Sequence, residues 1–218
     1  MKIRAFGTSC TLVIFLLAGC STTGGTIGGL GLPAPKFLKG AIKDNVYIAK
    51  DKSFSVAVPH KEGSNEYRYM NVKEQYSETE NYVSFGPAAV DQSVYRVGTA
   101  RALAPNAPDI NLEEVAPRIL DSYMQKLSNG YGARPQIAEM RRETIHGKTA
   151  RYWKLIQVAP AGKFVSDKEV TLTHDFYVID FTKAVAIVAV QTAEKLQGQS
   201  KGIGPRAFAE SVMLYKVR

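Results

Sequence analysis

Hydrophobic and polar residues alternate in short runs from about residue 45 onward, and this pattern predicts β-strands. Residues 54–58 alternate in this way and stop at Pro59, which has no N–H to continue a hydrogen-bonded ladder. The same criteria predict further strands over residues 82–85, 93–103, 136–145, 149–158, 169–180 and 184–190. We therefore expect a strand-rich domain.

Two short connections predict that neighbouring strands run antiparallel. Gly147 lies in the short segment 146–148 between two predicted strands, which is typical of a hairpin turn. The loop 181–183 is equally short and joins the last two predicted strands. The second of these, residues 184–190, is apolar at every position, which predicts a central strand that is covered on both faces.

Apolar residues recur at helical spacing in residues 111–128 and predict one long helix. Asn111, with Glu114 three residues later, is typical of a capping box at the helix start, and Asn129–Gly130 supplies the stop. Pro117 leaves the start open. It either kinks the helix or occupies the first position of a helix that begins there.

A second helix is predicted over residues 205–213, with Phe208 and Val212 facing inward. Antiparallel strands with interspersed helices predict an α+β fold, in which one antiparallel sheet is covered by two main helices. Residues 45–218 would form this single domain, a size that one hydrophobic core can fill.

The strand pattern resembles the Mog1/PsbP-like fold, which includes the bacterial lipoproteins of the DcrB type. The resemblance rests on residues 54–59 (FSVAVP), on residues 145–150 (IHGKTA) leading into a strand, on the adjacent strands within 169–190, and on the terminal helix. It implies an α+β domain. Members of this fold serve photosystem assembly, nuclear transport and the bacterial envelope, so the resemblance implies no single function.

The amino terminus has the features of a secretory signal. Lys2 and Arg4 give it a positive start, and residues 11–18 form an apolar run that is too short to span about 30 Å of hydrocarbon. The run ends in the sequence LAGC, residues 17–20, which resembles the lipobox of bacterial lipoproteins.

The lipobox resemblance implies that residues 1–19 are removed by cleavage between Gly19 and Cys20, and that Cys20 is then acylated. Several acyl chains would hold the protein to a bilayer almost permanently. Ser21 follows the cysteine, and in a Gram-negative cell this favours the outer membrane, with the domain facing the periplasm. The alternative is an ordinary signal peptide with an incidental cysteine.

Residues 20–44 are predicted to connect the anchor to the domain. Residues 21–35 are rich in Gly, Ser, Thr and Pro and carry no charge, which is typical of a flexible tether. The basic segment that follows carries Lys36, Lys39 and Lys43 among apolar residues. These lysines either contact anionic headgroups at a membrane surface or lie on a solvated linker end.

Composition narrows the class of protein. Of the 218 residues, 45% are hydrophobic and 22% are charged, which is typical of a chain that folds around a core. The net charge of +8 falls to +6 if Lys2 and Arg4 are removed with the signal, and the remaining positive residues are scattered, so no nucleic-acid partner is expected. The 2 cysteines are too few for a disulfide framework or a four-thiolate metal site.

No arrangement typical of catalysis or metal binding is found among the histidines and carboxylates. His60 and His146 fall in predicted loops. His174 is in phase with apolar residues of its strand, which predicts a hydrogen-bonded histidine on the packed face. Asp175 would then point to the opposite face, so the two cannot act as a pair. We expect no enzymatic activity, metal or cofactor.

Tyr67, Tyr69 and Tyr76 lie in and around a polar segment and are candidates for a partner-binding surface, although tyrosine suits half-exposed strands equally well. Together with the anchor, they predict a non-enzymatic envelope lipoprotein that binds a protein partner through an exposed apolar or aromatic patch. The alternative is a small-molecule or lipid-binding module, with a deep apolar cleft between the sheet and the helix over 111–128.

Overall fold

The computed structural model describes residues 38–59, 69–77, 80–87, 93–101, 108–162, 167–194 and 203–215. The predictions made for Gly19, Cys20, Lys36, His60 and Tyr67 lie outside these ranges.

Within the described ranges the chain forms strands that alternate with one long and one short helix. The strands are β1 (Ala41–Lys43), β2 (Val46–Ile48), β3 (Phe54–Ala57), β4 (Tyr69–Tyr76), β5 (Glu80–Pro87), β6 (Val94–Arg101), β7 (Gln136–Ile145), β8 (Lys148–Ala159), β9 (Val170–Asp180), β10 (Ala184–Ala193) and β11 (Met213–Leu214). The helices are α1 (Leu112–Tyr131), between β6 and β7, and α2 (Pro205–Glu210), between β10 and β11. Neither helix is both long and apolar enough to cross a membrane.

The strands form two antiparallel sheets. The small sheet has the order β1-β2-β3-β11, and the large sheet has the order β4-β5-β6-β10-β9-β8-β7. The small sheet and α2 pack on one face of the large sheet, and α1 packs on the other. The large sheet is therefore the middle layer of an α+β fold.

Each face of the large sheet has its own hydrophobic core. Between the sheets, Tyr47 and Phe54 meet Phe85 of β5, and Phe208 of α2 joins the same core. Under α1, Tyr123 stacks on Phe176 with ring centroids 4.5 Å apart. Burying one such side chain completely contributes about 1.5–3 kcal/mol, so both cores stabilise the middle layer.

The predicted central strand and hairpins are confirmed. β10 lies between β6 and β9 and alternates its side chains between the two cores, which explains its unbroken apolar run. β7 and β8 pair through a turn at His146 and Gly147, which have φ values of 49° and 71°. Glycine adopts such a φ without steric cost.

The long helix begins at the Asn111 cap, one of the two starts that the sequence left open, and ends later than the Asn129–Gly130 stop signal indicated. The Asn111 side chain accepts a hydrogen bond from the Glu113 N–H at 3.1 Å, so α1 begins at Leu112 and continues through Pro117. The helix passes Asn129–Gly130 and ends at Tyr131, because Gly132 takes the left-handed conformation (φ 78°) and its N–H closes on the Ser128 carbonyl.

The expectation of two main helices was wrong, since α1 alone is a main helix. α2 ends at Glu210, three residues before the predicted end at Met213. The chain leaves the helix because Met213–Leu214 pairs with β3, and the Ser211 side chain supports the change of direction by accepting a hydrogen bond from the Ala57 N–H at 3.1 Å.

The sequence predicted one sheet, and the structure has two. β3 was predicted, but β1, β2 and β11, which complete the small sheet, and β4, at the edge of the large sheet, were not. As a result, residues 41–43, which were assigned to the basic segment before the domain, form a strand of the small sheet. Glu80 and Asn81, in a stretch that reads as a polar loop, begin β5.

Candidate functional site

Among the strands that the structure describes, β7 is an edge of the large sheet, and exposed apolar side chains lie near this edge on both faces of the sheet. Ile137 and Met140 pair with Leu155 and Trp153, so they lie on the α1 face, but they are 50% and 62% exposed. Ile156 and Val158 of β8 lie on the opposite face and are also exposed. We call these four residues and the edge backbone of β7 the β7–β8 surface.

Ion pairs occupy the other end of β7. Arg141 lies over the Tyr152 ring at 4.0 Å and pairs with Glu139 and Glu143. On the α1 face, Arg142 pairs with Glu113 of the helix at 3.2 Å. Charged side chains thus occupy residues 141–143, so the apolar end of β7, residues 136–140, is the better candidate for an added strand.

A β-bulge at Ala138 separates Ile137 from Glu139 in the ladder between β7 and β8. A bulge bends a strand and increases its twist, and bulges are common at sheet edges and near functional sites. The bulge lies between Ile137 and Met140, within the apolar end of β7.

The carboxylate of Glu74 on β4 joins the edge of the large sheet to the start of the small sheet. It accepts hydrogen bonds from the backbone N–H groups of Lys39 (2.6 Å) and Gly40 (2.8 Å), from the Tyr76 hydroxyl at 3.1 Å, and from the hydroxyl of buried Tyr47. Gly40 fits because a Cβ there would lie 2.5 Å from the Ile48 carbonyl oxygen. We call this arrangement the Glu74 clamp.

The clamp shifts the pKa values of the groups that form it. Burial pulls the pKa of Glu74 upward, but the hydrogen bonds from Tyr47, Lys39, Gly40 and Tyr76 outweigh it, so the pKa of Glu74 lies below its ordinary value. Burial, together with the adjoining Glu74 and Tyr76, raises the pKa of the Tyr47 hydroxyl well above its usual range. The cluster therefore holds an ionised carboxylate among neutral hydroxyls.

The predicted site residues fall in different parts of the fold. Tyr76 is half-buried and its hydroxyl is engaged in the Glu74 clamp. Tyr69 begins β4 and pairs with Pro87. Lys39 and Lys43 are exposed, and Lys43 lies at the end of β1. The structure brings Tyr76 and the backbone of Lys39 together through Glu74, a residue that the sequence did not single out.

A buried polar cluster lies between α1 and the large sheet. His174 of β9 is fully buried, and its Nδ1 lies 3.2 Å from the Tyr123 hydroxyl of α1. Gln191 of β10 pairs with His174 in register, and its side-chain oxygen accepts a hydrogen bond from Arg96 at 3.2 Å and another from Tyr131. The cluster ties the carboxyl half of α1 to the strands beneath it.

The prediction for His174 is confirmed: it is a packed histidine with a hydrogen bond. Burial, and then the charge of Arg96, lowers the pKa of His174 to about 3, so the imidazole is neutral near pH 7. Asp175 lies on the opposite face, where it accepts a hydrogen bond from the Tyr152 hydroxyl at 2.6 Å. The two side chains are separated by the sheet and cannot act as a general-base pair.

Within the described ranges, no group of three or more His, Cys, Asp or Glu side chains is placed to hold a metal ion. His146 lies in the β7–β8 turn, far from His174 in the fold, and its ring contacts the Glu210 carbonyl oxygen of α2.

The sequence carries a turn signal for the small sheet that the prediction of strands from alternation overlooked. The β1–β2 hairpin turns at Asp44 and Asn45, which both have positive φ, and an Asp-Asn pair suits such a turn. The β7–β8 surface had no such signal. Apolar and polar residues alternate in the same way along a strand whether its apolar face is covered or exposed.

Neither the family models nor the curated proteins include a match to this chain. Among solved structures, the chain is similar to the PsbP protein CyanoP of Synechocystis sp. PCC 6803, with a TM-score of 0.45 and 12% identity over 86% of this chain and 100% of that one. It is also similar to the Ran-binding protein Mog1p of Saccharomyces cerevisiae, with a TM-score of 0.37 and 9% identity over 80% of this chain and 96% of that one.

A protein from Bacteroides thetaiotaomicron is similar as well, with a TM-score of 0.43 and 7% identity. The match covers 80% of this chain, which spans half the length of that protein. CyanoP and Mog1p belong to the PsbP and Mog1 types that the strand pattern resembles. Nothing about function follows from similarities of this size.

Proposed function

We propose that this chain is a lipid-anchored lipoprotein of the bacterial envelope, which docks a protein partner without catalysing a reaction. The LAGC sequence at residues 17–20 supports an acyl anchor at Cys20, and the uncharged segment 21–35 suits a tether. Ser21 favours the outer membrane, with the domain facing the periplasm.

The observation that carries the docking role is the edge position of β7 among the described strands, with exposed apolar side chains of β7 on one face of the sheet and of β8 on the other. The outward N–H and C=O groups of an edge strand can pair with an added strand, and flanking side chains can select it. The partner that fits the β7–β8 surface is a protein with an extended, largely apolar segment, which would contact Ile137 and Met140 on one face and Ile156 and Val158 on the other.

The packing of α1 favours this role over a ligand-binding cleft between the sheet and the helix. Ile119, Tyr123 and Leu127 of α1 are buried against the large sheet, so apolar side chains occupy the interval that such a cleft would need. His174 lies beneath these side chains and away from solvent, which suits a structural role.

Site-specific photo-cross-linking in intact cells tests the docking role. We expect a cross-linker at position 140 and one at position 156 to give an adduct of the same mass, since both positions border one docked strand. A cross-linker at Arg118, which is exposed on α1, is the matched control and should not give that adduct. Ile137→Asp should reduce the adduct from position 156 by about tenfold, since a charge there opposes an apolar partner.

Two outcomes would contradict docking at the β7–β8 surface. One is the same adduct pattern from position 118 as from positions 140 and 156. The other is full cross-linking from position 156 in the Ile137→Asp protein, with its folding verified by circular dichroism.

A further inference from the structure

The small sheet has an outer face that points away from the large sheet. Its core face carries Tyr47 and Phe54, which are fully buried between the sheets. Side chains alternate along a strand, and directly paired residues share a face, so the register assigns the remaining positions to the outer face. These residues are Ala41, Lys43, Val46, Ile48, Ser55, Ala57 and Met213.

The outer face has its most exposed apolar side chains at the β11 edge of the small sheet. Met213 is 48% exposed, and Tyr215, the next residue on the same side, is 49% exposed. The Tyr215 hydroxyl lies 2.9 Å from the Ser55 hydroxyl, so the tyrosine lies across the sheet. A tyrosine with an apolar body and a polar tip suits a boundary between water and an apolar phase.

Lysines lie at the β1 edge of the same sheet and in the connection between β2 and β3. Lys43 lies on the outer face, and Lys39, Lys50 and Lys52 are exposed in the segments that flank β1 and β2. Asp44 and Asp51 also lie in this region, but Asp51 turns its carboxylate inward to Ser53 and Asn81. The surface thus presents more positive than negative groups, which complements an anionic surface.

The chain enters the domain at the small sheet. The Glu74 clamp holds the backbone of Lys39 and Gly40, and β1 follows directly. About 18 residues separate Cys20 from residue 38, and a chain of that length would have a root-mean-square reach of roughly 25 Å as the flexible tether that its composition predicts. An anchor at Cys20 would therefore keep the small sheet, rather than the β7 edge, close to the bilayer.

We propose that the outer face of the small sheet lies on the anionic lipid headgroups of the membrane, an inference that rests on the proposed anchoring at Cys20. Lys39, Lys43, Lys50 and Lys52 contact the headgroups, while Met213 and Tyr215 enter the interface between them. β7 lies at the opposite edge of the large sheet from β4, which the clamp ties to the small sheet, so the β7–β8 surface stays accessible to a partner.

Vesicle flotation of the unacylated mature chain, made with Cys20→Ser, tests this contact without the anchor. We expect binding to vesicles of phosphatidylcholine with phosphatidylglycerol, and little binding to phosphatidylcholine alone. Lys43→Glu should weaken the partition coefficient at least fivefold, since one cation near an anionic surface contributes about that factor. Met213→Gln should weaken it as well. Lys148→Glu, at the β7–β8 turn, changes the net charge equally and is the matched control.

Three results would overturn the proposal. The first is no binding to the anionic vesicles. The second is equal weakening by Lys43→Glu and Lys148→Glu, which would show attraction by net charge alone. The third is a dimer in solution that Met213→Gln dissociates, which would assign the face to a second copy of the chain. Since the tested chain carries no acyl group, none of these results depends on whether Cys20 is acylated in cells.

Discussion

Replacing Glu74 with alanine is expected to lower the free energy of unfolding by about 2–3 kcal/mol. The substitution leaves the hydroxyl of buried Tyr47 and the N–H groups of Lys39 and Gly40 without the carboxylate that accepts their hydrogen bonds. Hydrogen bonds to a charged group contribute more than neutral ones, which is the reason for the size of the effect. Urea denaturation followed by circular dichroism measures it.

The effect of Glu74 should also depend on pH. Because its pKa is lower in the folded state, the stability that it contributes is present above its ordinary pKa and is lost as the pH falls through the folded value. The difference between the wild type and Glu74→Ala should therefore shrink in acid. Asp121→Asn is the control, since Asp121 is largely exposed on α1. Equal stability of the Glu74→Ala protein and the wild type at pH 7 would refute the clamp.

The second large effect is a pH dependence of the free energy of unfolding that originates at His174. The unfolded chain binds a proton at this histidine near pH 6.5, whereas the folded state binds it only near pH 3. The stability that depends on a neutral His174 is therefore fully present above about pH 6.5. It decreases as the pH falls towards 3, by about 1.4 kcal/mol per pH unit. Between pH 7 and pH 5, where most carboxylates stay ionised, the loss should be about 2 kcal/mol.

His174→Gln should flatten this slope, because glutamine does not titrate, even if the variant is less stable at every pH. Gln125→Ala, an uncharged substitution at an exposed position of α1, is the control and should leave the slope of the wild type. Urea denaturation at several pH values between 5 and 7 gives the slopes. A His174→Gln protein with the slope of the wild type would show that the buried imidazole does not control this part of the pH dependence.

The parts of the fold that were predictable from the sequence are those with a strong local pattern. β10 is apolar at each of residues 184–190, and a strand with no polar face must be covered on both sides. The hairpin of β7 and β8 has glycine at its turn, and α1 has an Asn cap and a helical apolar stripe. Each of these signals lies within about 20 residues of chain.

The parts that were not predictable depend on contacts between distant residues. β11 has two residues, and only its pairing with β3 makes it a strand. The acceptor role of Glu74 depends on residues 34 and 35 positions earlier in the chain. α2 was predicted too long because Met213 continues the spacing of a helix, whereas pairing with Ser55 draws it into the small sheet. In each case tertiary contacts override a local preference.

The residues of the candidate site also divide into those that a local pattern predicts and those that depend on distant contacts. The packed position of His174 was predictable, because one strand fixes which neighbours share its face. The position of Tyr76 was not predictable: it lies in a strand that the polar composition of the segment concealed, and its hydroxyl is engaged in the Glu74 clamp. The β7–β8 surface depends on how far the small sheet and the helices extend over the large sheet, which no local pattern encodes.

Acyl labelling and membrane fractionation of the Cys20→Ala protein in intact cells test the central claim, that the domain is held to a membrane through Cys20. We expect this variant to lose its acyl label and to leave the membrane fraction, because its amino terminus has no thiol to modify. Cys10→Ala removes the other cysteine of the chain, and this control should stay labelled and membrane-bound. A Cys20→Ala protein that is still acyl-labelled and sediments with the membranes would contradict the account.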